Sequence, residues 1–281
     1  MNGKVKAFLK RKDVVFSASR YGIDALGAMA QGLFASLLIG TILSTLGEQL
    51  GIAVLVTIGG YAKAATGPAM AVAIGYALKT PQLVLFSLIA VGAAANELGK
   101  AGGPLAVLVV AIVASECGKI VSKETKIDII VTPAVTISIG VLLSLACAPA
   151  IGKAASSVGN AIMWATELQP FFMGILVSVL VGVALTLPIS SAAICAALGL
   201  TGLAGGAAVA GCCAQMIGFA VMSFKENKWG GLFAQGLGTS MLQMGNIVRN
   251  PRIWLPPTLA SAITGPLATC LFHLKMNGAA V

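Results

Sequence analysis

Residues 129–148 read IIVTPAVTISIGVLLSLACA, and this stretch decides the class of protein to which the chain belongs. No charged side chain interrupts the sequence between Asp128 and Lys153. A transmembrane α-helix needs about 20 predominantly apolar residues to cross the hydrocarbon core of a bilayer. The stretch therefore predicts a membrane-spanning helix that ends at Pro149, followed by a weaker segment over 152–169 that suits an interfacial helix.

The composition of the whole chain agrees with a membrane location. Of its 281 residues, 58% are hydrophobic and 10% are charged, whereas soluble domains carry about 25% charged residues. Such a chain cannot cover a folded surface with polar side chains. This excludes an ordinary soluble enzyme, a disordered tail, a collagen-like fibre and a nucleic-acid-binding domain. We expect an all-α polytopic membrane protein with roughly 8–10 transmembrane helices.

The charged residues indicate an orientation and a division of the chain. There are 18 Lys and Arg against 9 Asp and Glu, and basic loops concentrate on the cytoplasmic side of membranes. Residues 1–24 form a basic amphipathic segment suited to the anionic cytoplasmic leaflet, which predicts a cytoplasmic N-terminus. The charged segment 119–128 is predicted to be a cytoplasmic loop. Residues 25–281 are expected to form one membrane domain, with a helical half at 25–150 and a glycine-broken half at 151–281.

The C-terminal half contains short apolar segments interrupted by glycine. Cations flank residues 230–246, with Lys225 and Lys228 before them and Arg249 and Arg252 after them. If both pairs face the cytoplasm, the segment enters and leaves the membrane on one side. Backbone of that kind is tolerated only when it is buried in protein or lines a water-filled cavity. We therefore expect one or two re-entrant hairpins in this half, beside a substrate-binding cavity.

Polar residues at membrane depth are the candidates for that cavity. Glu167 precedes Pro170, and proline disfavours helical backbone before it, so this carboxylate could bind sugar hydroxyls, accept a proton or cap a helix. Hydroxyls and amides follow, and they suit neutral polyols and phosphate, although hydrogen bonds between helices use the same residues. The candidate substrate-binding residues are Glu167, Gln169, Ser190, Ser191, Gln215, Gln243, Asn246 and Asn250, within a polar string that also contains Gln235, Thr239, Ser240 and Arg252.

Further candidates are Asn96, Glu97, Glu116 and Arg249, since polar and ionisable residues inside membranes are costly and often functional. Glu97 lies at the end of an apolar segment, where a solvated loop would explain it equally well. Glu116 precedes Lys119 by three residues, a spacing that allows an ion pair along a helix.

No motif of a soluble enzyme is present. The chain has no Walker A sequence and no HExxH. Its six cysteines form no CxxC pair, and its single histidine, His273, is expected to be interfacial. We therefore assign no catalytic residue, no metal site and no cofactor.

Several stretches of the second half are distinctive. They read LPISSAAI at 187–194, GCCAQMIGFAVMS at 211–223, GLGTSMLQ at 236–243 and NPRIWLPPTLAS at 250–261. Over nearly the whole chain the sequence resembles the enzyme IIC-like membrane proteins of the phosphotransferase system, in the branch described as perfringolysin-regulator-like (PfoS/R).

The resemblance implies a bacterial inner-membrane protein, usually a homodimer, that binds a sugar at mid-membrane beside re-entrant hairpins. In that family a glutamate and a histidine present a sugar hydroxyl to a phosphorylated IIB partner. Glu167 could take the role of the glutamate, but no counterpart of the histidine is evident. The chain carries no IIA or IIB domain, so phosphate would come from a separate IIB protein.

Three functions remain open from the sequence. The first is a transporter for a sugar or another small polar solute. The second is a membrane sensor or regulator that keeps the enzyme IIC-like fold without transport, which the missing histidine favours. The third is a scaffold whose basic N-terminal helix recruits a partner.

Overall fold

A computed structural model describes residues 3–166, 168–189, 195 and 200–276, and these residues are almost entirely helical. Their only β pairing is an isolated bridge between Gly202 and Met276. The helices that are long and apolar enough to cross a membrane are Arg20–Leu50, Gln82–Val121, Asp128–Val158 and Gly202–Met222. The prediction of an all-α membrane protein is confirmed, whereas the larger number of spans stays a prediction.

The chain divides into two compact units, Met1–Ile151 and Gly152–Val281. The first contains the helices α1 Gly3–Arg11, α2 Arg20–Leu50, α3 Ala53–Ala64, α4 Thr66–Ala77, α5 Gln82–Gly99 and α6 Gly103–Val121. Helix α7, Asp128–Thr166, begins in the first unit and ends in the second. The second unit contains α8 Pro170–Thr186, α9 Gly202–Met222, α10 Phe224–Phe233, α11 Met244–Arg249 and α12 Leu255–Pro266.

The first unit is built from helices that fold back on their predecessors. Gly51, with φ 68°, ends α2 in the left-handed conformation that glycine adopts without strain, and α3 then packs along α2. The apolar stretch 52–78 is divided at Ala65, directly before the Thr-Gly-Pro sequence at 66–68. Helices α5 and α6 also pack on one another, with the chain reversing at Lys100.

Two helix ends differ from the sequence prediction. Helix α6 continues to Val121, so Lys119 is a buried helical residue and not part of a loop. Helix α7 continues through Pro149 to Thr166, so the predicted end at Pro149 and the separate interfacial helix at 152–169 are both wrong. Proline removes one backbone donor, but a helix at membrane depth has no better way to satisfy its remaining backbone groups.

The core of the second unit consists of α8, α9 and α12, which pack against one another. Glycine allows close approach, since a Cβ added at Gly211 would collide with the backbone of Ser178. Hydroxyl groups join the same helices. Ser178 Oγ donates to Ser261 O at 2.7 Å, and Ser261 Oγ donates to Gly211 O at 3.3 Å. Small residues and hydroxyls are the usual means of joining helices in membranes.

The segment between α9 and α12 consists of short helical pieces. Helix α10 is interrupted at Lys228, where φ is 50° and ψ is −150°, and it leads into a π-helical turn at Ala234–Gly238. Thr239 is extended, with φ −155° and ψ 141°, and a 3-10 turn at Ser240–Gln243 leads into α11. The predicted hairpin region 230–246 is therefore two short helices joined at an extended threonine.

Candidate substrate-binding site

Four polar side chains of the second unit form a continuous hydrogen-bonded row, which we term the amide chain: Ser223, Gln235, Gln243 and Asn246. Asn246 Nδ2 donates to Gln243 Oε1 at 2.8 Å, and Gln243 Nε2 donates to Gln235 Oε1 at 3.0 Å. Gln235 Nε2 then donates to Ser223 Oγ at 2.9 Å. Gln235 and Gln243 are buried, whereas Asn246 is exposed at one end of the row.

The amide chain joins α9 to both short helices of the segment that follows it. Ser223 directly follows α9, Gln235 belongs to the π-helical turn, and Gln243 and Asn246 lie on either side of the start of α11. A primary amide carries two N–H donors and one acceptor, and each amide here uses one N–H within the row. Their remaining N–H donors have no hydrogen-bond partner among the described residues and could bind hydroxyl oxygens.

Gln215 is fully buried on α9. Its Nε2 donates to Thr258 Oγ1 at 3.2 Å, and Thr258 Oγ1 donates to Trp254 O at 2.8 Å. Two side-chain atoms of the residues joined by these hydrogen bonds are buried without a partner in the described part of the chain: the acceptor Gln215 Oε1 and the donor Trp254 Nε1. Leaving a buried polar group unpaired costs about 1–3 kcal/mol, so both atoms are suited to a polar ligand.

A pair of buried hydroxyls fixes the segment that carries the amide chain. Thr186 Oγ1 and Ser240 Oγ lie 2.7 Å apart, and both side chains are fully buried. Thr239 Oγ1 accepts from Met241 N at 3.2 Å and so caps the 3-10 turn. These contacts hold the turn against the end of α8.

A comparison with known protein families shows the family to which this helical membrane protein belongs. A family model described as "Phosphotransferase system, EIIC" matches residues 23–281. The chain belongs to the EIIC family. Membership implies a membrane location and partners from the phosphotransferase system. No curated protein and no solved structure was found to match the chain.

Three of the candidate residues in this EIIC protein lie at helix ends. Gln169 is exposed and precedes α8, where its backbone oxygen accepts from Met173 N at 2.8 Å. Asn250 Oδ1 accepts from Arg252 N at 3.3 Å and caps the following 3-10 turn. Arg249 is exposed at the end of α11. Glu167, Ser190 and Ser191 lie outside the described residues.

The other candidates of the EIIC chain lie in the first unit. Glu116 and Lys119 form the predicted ion pair on α6, at 3.3 Å. Glu97 is exposed near the end of α5. Asn96 packs against two glycines, since a Cβ added at Gly67 or Gly103 would contact its side chain.

The sequence did not indicate several residues of the amide chain and of the hydrogen bonds around Gln215. Ser223, Thr258 and Trp254 carry no pattern that distinguishes them from ordinary span-end residues. Tyr21 was also missed, although its hydroxyl donates to Glu116 Oε1 at 3.2 Å. Among the described residues, no group of three or more His, Cys, Asp or Glu side chains could hold a metal ion.

Proposed function

We propose that this EIIC protein binds a sugar or another small polar solute at the amide chain and Gln215, and carries it across the bacterial inner membrane. The observation that carries the proposal is the fully buried Gln215, whose Oε1 has no partner in the described chain. A sugar hydroxyl can donate to this oxygen and accept from an N–H of the amide chain that has no partner among the described residues. Family membership supports a transporter of the phosphotransferase type.

The short helices that meet at Thr239 are proposed to be a re-entrant hairpin beside a mid-membrane cavity. Lys228 interrupts the first helix and Arg249 ends the second. Cations at both ends support the same side of the membrane for entry and exit. The extended Thr239 is backbone that the membrane interior tolerates only in protein or at a cavity.

The charge distribution of the first unit supports a cytoplasmic N-terminus. Arg20 Nη2, at the start of α2, donates to Leu78 O, at the end of α4, at 2.6 Å. Lys12 contacts Glu124 in the turn after α6. The start of α2 and the ends of α4 and α6 therefore lie at the same end of the first unit. That end also carries Lys79, Lys119, Lys123 and Lys126, whereas the other ends of α2 and α5 carry Glu48 and Glu97 with a single lysine, Lys100. Positive charge concentrates on the cytoplasmic side of membrane proteins.

Several finer features belong to the same proposal. A separate IIB protein would supply the phosphoryl group, with Glu167 in the role of the family's glutamate. The resemblance to the PfoS/R branch and to dimeric relatives supports a homodimer. Roughly 8–10 spans remain the expected number for a chain of this length.

The test is binding and uptake of a panel of radiolabelled sugars and polyols by the full chain in proteoliposomes, with and without a phosphorylated IIB protein. The double variant Gln215→Leu/Thr258→Val removes both partners of the Gln215–Thr258 hydrogen bond together, so neither side chain is left buried without its partner and the fold is expected to survive. We expect its Kd to rise about tenfold or more, which corresponds to one lost hydrogen bond of about 1.4 kcal/mol. The control is Thr57→Val, an exposed threonine whose hydroxyl donates to Ala53 O within its own helix.

Two results would contradict the proposal. Unchanged affinity in a folded Gln215→Leu/Thr258→Val variant would remove Gln215 from the site. No binding or uptake across the panel would favour the alternative function, a membrane sensor or regulator with an EIIC fold. A cellular phenotype that persists when transport is absent would then support the regulator.

A further inference from the structure

An apolar groove runs between α9 and α12 in the second unit, with a volume of about 800 Å³. Its walls include Ala214 and Ile217 from α9 and Ala260 and Leu267 from α12 or its continuation. The groove is separate from the polar atoms of the proposed substrate site, since none of the amide-chain residues lines it. It is therefore not explained by the binding of a polar solute.

The dimensions of the groove match a lipid chain. Its lining extends along α9 from Val209 to Met222, which is about 20 Å of helix at 1.5 Å per residue. The hydrocarbon core of a bilayer is about 30 Å thick and contains two leaflets, so the groove is long enough to hold the full length of an acyl chain of one leaflet. Its wall residues Ile217 and Val221 are 50% and 61% exposed, so the groove is open to an apolar occupant.

One end of the groove is flanked by two cationic side chains. Lys225 follows Met222 by three residues, and Arg252 precedes Pro256 by four, while Met222 and Pro256 both line the groove. Both side chains are exposed, and neither has a hydrogen bond or an ion pair with any described residue. Every ion pair found in the described chain belongs to the first unit.

The aromatic residues beside Lys225 indicate that this end lies at the membrane surface. Phe224 and Trp229 are in edge-to-face contact at 5.4 Å, and Trp229 stacks on Phe233 at 6.2 Å. Trp229 and Phe233 are mostly exposed. Tryptophan concentrates at the level of the lipid headgroups, so Trp229 supports this placement, with Phe224 and Phe233 packed against it.

We propose that the groove binds an acyl chain of an anionic phospholipid, whose phosphate pairs with Lys225 and Arg252. Basic pockets between transmembrane helices bind anionic headgroups, and guanidinium and ammonium groups form charge-assisted hydrogen bonds with phosphate. A second copy of the chain fits less well. A two-fold interface brings the same surface of both copies together. Residues 222–256 carry Lys225, Lys228, Arg249 and Arg252 against the one carboxylate of Glu226, so a second copy would add more positive than negative charge.

The experiment is native mass spectrometry of the purified full chain in detergent, titrated with phosphatidylglycerol or with phosphatidylcholine of the same acyl chains. We expect the wild type to retain phosphatidylglycerol at a concentration about 30-fold lower than the concentration of phosphatidylcholine that it needs. The reason is that each of the two cations favours an anionic lipid by about fivefold. Lys225→Gln/Arg252→Gln is expected to abolish this preference. The matched control Lys63→Gln/Lys126→Gln removes two exposed lysines of the first unit and is expected to preserve it.

A second variant tests the groove itself. Ala214→Trp narrows it and is expected to weaken the retention of both lipids, whereas Ala90→Trp, at an exposed alanine of α5, is expected to have no effect. The melting temperature in detergent confirms that each variant is folded.

Three outcomes would overturn the proposal. The first is equal retention of the two lipids by the wild type. The second is a lipid preference that depends on Lys275, at the opposite end of the groove, and not on Lys225 and Arg252. The third is a shift of Ala214→Trp from dimer to monomer with unchanged lipid binding, which would assign the groove to a second copy of the chain. None of these results depends on sugar transport, so the inference and the proposed function can fail separately.

Discussion

Lys119 Nζ lies 3.3 Å from both carboxylate oxygens of Glu116, one turn earlier on α6, and the two side chains are only 1% and 8% exposed. Lys119 also donates to Asp13 O at 3.3 Å, and Tyr21 donates to Glu116. The ion pair therefore connects the N-terminal segment to the membrane helices. A buried charge is tolerated in this way when its partner and its remaining hydrogen bonds are all in place.

Removing one member of this pair is expected to destabilise the protein strongly. Glu116→Gln leaves the Lys119 ammonium buried without a counter-ion, which costs about 3–5 kcal/mol. The double variant Glu116→Leu/Lys119→Met removes both charges and is expected to recover most of that loss, because apolar replacements of buried pairs are often neutral. Reversible unfolding in mixed detergent micelles measures the free energy of unfolding of the single and the double variant. A double variant as unstable as Glu116→Gln would contradict this interpretation.

The neighbouring pair Asp13–Arg20 predicts a dependence of stability on pH. Arg20 Nη2 donates to Asp13 Oδ2 at 2.6 Å, and this hydrogen bond lowers the pKa of Asp13 from its ordinary value of 3.8. The stabilisation is therefore present above pH 3.8 and is lost as the pH falls through the lowered pKa. Because Asp13 is 49% exposed, we expect at most about 1 kcal/mol.

Asp13→Asn is the appropriate variant for this test, because Asp13 has a φ of 53° and asparagine tolerates that left-handed backbone. The free energy of unfolding is measured between pH 2.5 and pH 6. We expect the difference between wild type and Asp13→Asn to be present at pH 6 and to disappear at the acidic end. A difference that is independent of pH would mean that the charge of Asp13 contributes nothing.

The helical class of the fold could be predicted from the sequence because it depends on local features. A run of about 20 apolar residues has few alternatives to a membrane helix, and the run at 129–148 lies within α7. The ends of helices were less predictable. Lys119 looks like a loop residue when only its charge is considered, but its pairing with Glu116 and Asp13 makes burial possible.

The sequence predicts which residues could form the candidate site but not which of them contact one another. The hydroxyls and amides of the second half were identified, but their partners depend on contacts between distant parts of the chain. Gln243 bonds to Gln235 and Thr186 to Ser240, and the second pair joins residues 54 positions apart. The orphaned acceptor of Gln215 is likewise visible only after α9 and α12 are packed together.

A second ionic contact of the N-terminal segment predicts how α1 is held. Lys12 Nζ lies 2.5 Å from Glu124 Oε1 and also donates to Ser122 O, and Arg11 Nη2 lies 2.8 Å from the same carboxylate oxygen. The hydrogen bond from Lys12 lowers the pKa of Glu124 from its ordinary value. Glu124→Gln removes both ion pairs and is expected to expose the basic residues of α1.

Limited trypsin digestion of the detergent-solubilised protein measures this exposure. We expect cleavage after positions 10–12 to be several-fold faster in Glu124→Gln than in wild type at low salt. The difference should shrink near 1 M salt, where the screening length is about 3 Å. Glu48→Gln, at an exposed carboxylate with no partner among the described residues, is the control. Identical cleavage of all three proteins would show that these ion pairs do not hold α1.

The close contact between α8 and α9 predicts the effect of a single added methyl group. A Cβ at Gly211 would collide with the Ser178 carbonyl group, and the clash is with backbone that cannot rotate away. Gly211→Ala is therefore expected to cost at least about 1–3 kcal/mol and to separate the hydroxyl bonds of Ser178 and Ser261. Gly230→Ala, in α10, is the matched control, because a Cβ there would meet nothing within 4 Å. In micelles, we expect the free energy of unfolding to be lower than that of wild type for Gly211→Ala and not to be lowered for Gly230→Ala. Equal stability of the two variants would mean that α8 and α9 are not packed through Gly211.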